Sequence, residues 1–156
     1  MQIPPKQNRL GWGTLHLAMT DENRHAPTRP ILTSIAAQLF VADIKASCEF
    51  FTAKLGFVVD FIYGDPPFYG QVTRDNARFV LREIDEPVFH DVREREHLLS
   101  AAITVATVDE IEQLFRSYQS EGVSFHQPLK KEPWGATTFI VQDLDGNLIL
   151  FAGPAD

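Results

Sequence analysis

Residues that commonly do chemistry are present in this chain, but they do not assemble into a familiar reactive set. The five histidines, His16, His25, His90, His97 and His126, and the single Cys48 show no spacing that resembles a zinc site. Cys48 falls on the apolar face of a predicted helix, which favours an inert thiol over a nucleophile. Asp143 and Asp145 in QDLDGN would be placed for paired-carboxylate work, yet this spacing belongs to a hairpin turn, where Asp accepts from backbone N–H groups. There is no nucleophile elbow and no phosphate-cradling glycine loop. No catalytic residue is assigned. What remains is aromatic. Phe61, Tyr63, Phe68 and Tyr69 crowd into FIYGDPPFYG, read as a loop with two consecutive prolines, and Trp134 stands between Pro133 and Gly135 at a strand entrance. Rigid rings stack on flat heteroaromatic or cationic groups at about 0.5 to 1.5 kcal/mol per contact beyond area burial, and prolines reduce the cost of ordering the loop. The same rings also suit core or dimer-interface packing.

The elements that would position these rings come in two copies. LFVADIKASCEFFTAKLGFVVDF (39–61) and ITVATVDEIEQLFRSYQSEGVSFHQ (103–127) each read as strand, polar break, amphipathic helix, glycine, strand. In the second copy Thr107 and Glu110 form a capping box, Ile111, Leu114, Phe115 and Tyr118 make the buried stripe, and Gly122 supplies the stop. In the first, Asp43 caps, Ile44, Cys48, Phe51 and Leu55 face the core, and Gly56 ends the helix. Three extended runs follow each helix: FVVDFIY, YGQVTR and ARFVLREI, then VSFHQ, ATTFIVQ and NLILFAG. Tight turns at Arg74-Asp75-Asn76 and Asp143 to Asn147 match between copies. The expected organisation is an N-terminal extension (1–30) with room for one short strand around Leu15, Leu17 and Met19, a βαβββ module (31–83), a polar link (84–97) and a second βαβββ module (98–156).

These paired modules, with FFTAKLGFVVDF after the first helix and PWGATTFIVQDLDGNLILF at the end, resemble the vicinal oxygen chelate superfamily of glyoxalase I, extradiol dioxygenases, fosfomycin-resistance enzymes and bleomycin-resistance proteins, the last most of all. The resemblance implies an α+β fold of two tandem βαβββ modules forming incomplete barrels. It also implies where a metal would sit: an inward His or Gln on the first strand of each module and an inward Glu on the last. Those positions are Ala36, Val80, Ser100 and Leu150, none of them a good ligand. Glu83 and His97 stand three residues from Val80 and Ser100, out of phase with the strand alternation. The expectation is no metal and no cofactor. In the bleomycin-resistance family a Trp of the matching PWG and an aromatic after DF sandwich the ligand, which maps onto Trp134 and Phe68. Such proteins often carry a proline in the first strand, where an arm crosses to the partner; Ala37 stands here instead.

The net charge of −7 comes with no basic stripe, which argues against nucleic acid and mildly favours a cationic partner by steering. No apolar run approaches the roughly 18 residues of a membrane span, and no signal peptide is recognisable, so neither a membrane partner nor secretion is expected. One unpaired cysteine fits a reducing, cytoplasmic setting. The function expected from the sequence is metal-free sequestration of a small aromatic, cationic molecule in a homodimer cleft. The alternative is a metal-dependent glyoxalase- or dioxygenase-type enzyme.

Overall fold

The computed structural model describes residues 30, 32–86 and 90–155. The strand expected near Leu15 to Met19, together with His16 and His25, lies outside the described residues. Chain contacts separate Met1–Ser34 from Ile35–Asp156. Within the first unit the described residues 30 and 32–34 form no helix or strand. Every helix and strand among the described residues belongs to the second unit.

The first module of that unit runs β1 (Ala37–Val41), α1 (Ile44–Ala53), β2 (Val58–Gly64), β3 (Pro67–Arg74) and β4 (Ala77–Glu83). A helix, α2 (His90–Glu96), occupies the stretch read from sequence as a polar link. The second module runs β5 (Leu99–Thr104), α3 (Val108–Ser120), β6 (Phe125–Lys131), β7 (Ala136–Gln142) and β8 (Leu148–Ala155). Each module makes one four-stranded sheet, ordered β1-β4-β3-β2 and β5-β8-β7-β6, and neither sheet closes on itself. In both, the first strand pairs in parallel with the last, and the intervening pairs are antiparallel. A parallel neighbour needs a crossover connection, and the helix at the start of each module begins it.

Local chemistry sets the helix ends. Asp43 accepts from Ala46 N at 2.9 Å to cap α1. On α3, Thr107 Oγ1 accepts from Glu110 N while Glu110 Oε2 accepts from Thr107 N, a complete capping box. Gly56 (φ 71°) and Gly122 (φ 67°) then turn the chain in the left-handed region, which glycine enters without steric cost.

One apolar cluster draws on both modules, including Leu39, Phe51, Phe57 and Phe79 from the first and Ile111, Tyr118, Phe139 and Phe151 from the second. Polar contacts join the modules around it. Tyr118 Oη donates to Leu55 O at 3.2 Å, and Arg74 Nη1 donates to the same carbonyl at 2.6 Å and to Tyr118 Oη at 3.1 Å. Burial pushes the Tyr118 phenol up to about 12, so it stays a donor at neutral pH. On the other side, the DLDGN turn reaches across. Asp145 Oδ1 accepts from Ala42 N at 2.9 Å and Asn147 Nδ2 donates to Phe40 O at 3.0 Å. The paired aspartates therefore hold a turn, as their spacing suggests: Asp143 Oδ1 accepts from Asp145 N and Asn147 N at 2.9 and 2.7 Å.

Candidate functional site

Strand alternation gives each sheet one face toward its helix and one face free of it. In the first module Leu39, Val72, Phe79 and Leu81 are buried on the helix side. Their neighbours Gln38, Gln71, Arg78, Val80 and Arg82 point the other way, with Gln38 opposite Val80 and Gln71 opposite Val80 in the registers of β1–β4 and β3–β4. A register shift between Val59 and Phe61 inserts Asp60 as an extra residue. Its carboxylate turns to the helix-free face, accepting from Gln71 Nε2 at 2.6 Å and Thr73 Oγ1 at 2.9 Å. The hydrogen bonds from Gln71 and then Thr73, with attraction from Arg78 beside them, hold the Asp60 carboxyl below its ordinary range, so it is ionised at neutral pH.

The aromatic residues singled out in the sequence lie mostly on this hairpin. Phe61 stacks on Tyr69 with ring centres 6.0 Å apart, and Tyr63 meets Phe68 edge-on at 5.7 Å. Phe61, Tyr63 and Phe68 are 42%, 66% and 50% exposed, far more than core rings such as Phe51. The sequence reading of FIYGDPPFYG as a loop needs correction. β2 continues to Gly64 and β3 begins at Pro67, so Phe68 joins Tyr69, already read in the run YGQVTR, as a strand residue beside a tight turn. Gly64, at φ 105°, makes the reversal, and Pro67 fits a strand end. Strand placement gives these rings fixed directions.

Trp134 stands apart from them. Gly135 N donates to Glu132 O at 2.9 Å, closing a turn between β6 and β7 that puts Pro133 and Trp134 at its tip. Trp134 is 70% exposed, and among the described residues it joins no ring pair. Glu132 fixes the base of this turn, accepting from Thr138 Oγ1 at 2.8 Å and Gln127 Nε2 at 3.3 Å and pairing with Lys130 at 3.3 Å. Thr138 above all keeps its carboxyl below the ordinary range.

A cavity of about 540 Å³ lies elsewhere, between the β3–β4 turn, β5 and α3, with Arg74, Asn76, Gln113 and Leu114 among its lining residues. None of the five aromatic residues lines it. Arg74 is already engaged by Leu55 O and Tyr118 Oη. The ring-bearing hairpin by contrast presents Phe61, Tyr63 and Phe68 on an exposed surface.

The sequence profile of the Glyoxalase/Bleomycin resistance protein/Dioxygenase superfamily matches residues 32–151. The chain belongs to that superfamily. A search of the curated proteins finds no match. Solved structures do align. A bleomycin-binding protein from the bleomycin producer Streptomyces verticillus, in complex with copper(II)-bleomycin, superposes with a TM-score of 0.62 at 22% identity, covering 81% of this chain and 99% of that one. A glyoxalase/bleomycin resistance protein/dioxygenase from Alicyclobacillus acidocaldarius gives 0.66 at 18% identity over 83% and 96%. TioX from Micromonospora sp. ML1 gives 0.60 at 18% over 78% and 98%. At these identities the likeness speaks for the fold.

The sequence resemblance puts the chelate positions of metal-dependent members at Ala36, Val80, Ser100 and Leu150. Ala36, Val80 and Leu150 bring no donor atom, and the Ser100 hydroxyl already donates to Asn147 Oδ1 at 3.4 Å. These residues do not fit a divalent ion. Glu83 lies on the other side of β4, its Oε2 accepting from Ile44 N at 3.3 Å at the start of α1. Among the described residues no three His, Cys, Asp or Glu side chains converge. Cys48 is buried beneath the sheet, and that burial pushes its thiol up.

One pairing escaped the sequence reading. His97 Nδ1 and His126 Nε2 approach to 2.8 Å although each residue taken singly gave no signal. Their separation along the chain concealed it.

Proposed function

We propose that this protein binds a small molecule carrying a flat, positively charged aromatic group, making and breaking no covalent bond and using no metal at the superfamily's chelate positions. The observation that carries the reading is the exposure of Phe61, Tyr63, Phe68 and Trp134, large rings held on ordered strands and a tight turn with much of their surface open to solvent. Asp60, ionised and next to the Phe61–Tyr69 stack, supplies a counter-charge for a cationic ring substituent. Arg78 and Arg82 on the adjacent strand share that face, so recognition would depend on where the ligand's charge lies as well as on its sign. Because Trp134 and Phe68 do not meet within the chain, the reading puts the ligand in a cleft formed by two copies, Trp134 of one and the β2–β3 hairpin of the other contributing opposite walls. The copper(II)-bleomycin complex of the Streptomyces verticillus protein makes a drug of that kind a natural first probe.

The test is titration of the full chain with metal-free bleomycin and other flat aromatic cations, followed by tryptophan fluorescence. Saturable quenching at micromolar ligand that Asp60→Asn weakens for cationic but not neutral rings is the expected result. If no member of the panel binds, or if charge on the ring makes no difference, the reading fails. A redox or isomerising enzyme of the superfamily's metal-dependent kind would need a ligand set that Ala36, Val80, Ser100 and Leu150 do not provide.

A further inference from the structure

His97 and His126 come from opposite edges of the second sheet. His97 leads into β5, and His126 lies on β6, the outermost strands in the order β5-β8-β7-β6. β5 runs parallel to β8, and two antiparallel steps make β6 parallel to both, so β5 and β6 begin at the same end. The imidazoles can touch only because the sheet curls, and they meet across its mouth there.

Two backbone irregularities aim the rings at each other. His97 adopts φ 52°, a left-handed conformation uncommon for a residue with a side chain. His126 falls at the register shift between Phe125 and Gln127, where an extra residue in β6 redirects its side chain. Features of both kinds concentrate at functional positions. Here two of them, on separate segments, converge on one pair of nitrogens.

The geometry points to a bidentate site for a divalent transition metal that favours imidazole, Cu²⁺ before Zn²⁺ in affinity. The nitrogens are 2.8 Å apart and the ring centres 5.0 Å apart, with the planes inclined at 66°. A metal held at roughly 2.0 to 2.1 Å from each nitrogen would stand roughly 3.2 Å from each ring centre, so the observed ring separation subtends roughly 100° at the ion. That angle lies between square-planar and tetrahedral values. The rings therefore need to pivot and not to move apart. Imidazole suits copper, nickel and zinc, and copper heads the affinity order. Since no third His, Cys, Asp or Glu joins the pair among the described residues, the ion would keep open positions and exchange readily. The site uses none of Ala36, Val80, Ser100 and Leu150 and does not rest on the ligand reading above.

Copper titration of the full chain tests it, by calorimetry and by electron paramagnetic resonance at neutral pH. The expected result is one Cu²⁺ per chain with a two-imidazole nitrogen signature, weakened tenfold or more in His97→Gln and in His126→Gln. If the double variant binds as wild type does, other imidazoles hold the ion and the proposal is overturned; it is equally overturned if wild type shows no stoichiometric binding. Thermal melts of the variants establish that each is folded, and if His126→Gln is not, the exposed His97→Gln decides the outcome alone.

Discussion

Trp134 and Asp143 show how differently two turn residues can be used. Trp134 has most of its surface in solvent at a turn tip that Glu132 and Gly135 close without it. Removing a side chain from such a place leaves no cavity, so Trp134→Ala should alter stability by no more than about 0.5 kcal/mol. As an anchor ring it should cost about 2 kcal/mol or more in binding. A melt and a ligand titration on the one variant check both halves, and a large drop in melting temperature with affinity unchanged would refute the assignment. Asp143 is the opposite case. Burial pushes its carboxyl up to about 6 from an ordinary 3.8, against the pull of the Asn147 and Asp145 hydrogen bonds. Between those values the folded chain keeps a proton that the unfolded chain has released. This stabilising contribution is complete below pH 4 and is lost as pH rises through 6, to a total on the order of 3 kcal/mol. Urea unfolding of wild type and Asp143→Asn across pH 4 to 7 should show wild type losing ground to the variant as pH rises. Asp60 and Glu132, whose lowered values act in the opposite direction on the acid side, are common to both proteins and cancel. A pH-independent difference would show that Asp143 titrates normally.

At the scale of elements, the β2–β3 hairpin depends on Gly64. A Cβ there would collide with the Phe68 ring and stand 2.7 Å from Pro66 O, and the φ of 105° is closed to other residues. Gly64→Ala should destabilise the protein by about 1 kcal/mol or more, read as a fall in the denaturant midpoint at unchanged m. An unaltered midpoint would mean that the turn can be rebuilt without glycine. This hairpin also marks where sequence and structure diverge. Capping residues, helix stripes and turn glycines act within a few residues, so Asp43, Thr107 with Glu110, Gly56 and Gly122 were legible from the chain alone. The repeat, once seen, gave each module its succession of strand, helix and three strands, but not the order in which those strands pair. Two prolines in FIYGDPPFYG read as a loop because proline lacks a ladder donor, yet a strand end tolerates Pro67. Helix α2 has no apolar stripe to announce it. The histidine pair depends on sheet curl, a bulge and one positive φ, none of which leaves a periodic trace.

For the whole molecule, what matters is which surface remains uncovered. β2 is the outer edge of the first sheet, and it exposes Val58, Phe61, Ile62 and Tyr63 while Phe68 stands beside it on β3. Phe61 and Ile62 are consecutive strand residues, so apolar groups are exposed on both faces of this edge. An edge with free backbone groups and apolar side chains on both sides invites pairing, and soluble chains normally guard such an edge with charge, proline or a covering element. The second sheet offers a different outer edge in β6, whose PLKK end carries Pro128, Lys130 and Lys131, a heavier guard than the bulged Asp60, the one charged side chain of β2. Covering the β2 hairpin by a second copy through a two-fold axis would bury both chains' patches at once, and would form the two-chain cleft proposed for the ligand. Sedimentation at micromolar concentration should therefore give a homodimer, and Ile62→Lys or Tyr63→Glu should shift it toward monomer while leaving the melting of the monomer core intact. If wild type sediments as a monomer, or if neither substitution on the hairpin affects a dimer that does form, the β2 edge is not the interface, and Trp134 and Phe68 must find their ligand separately.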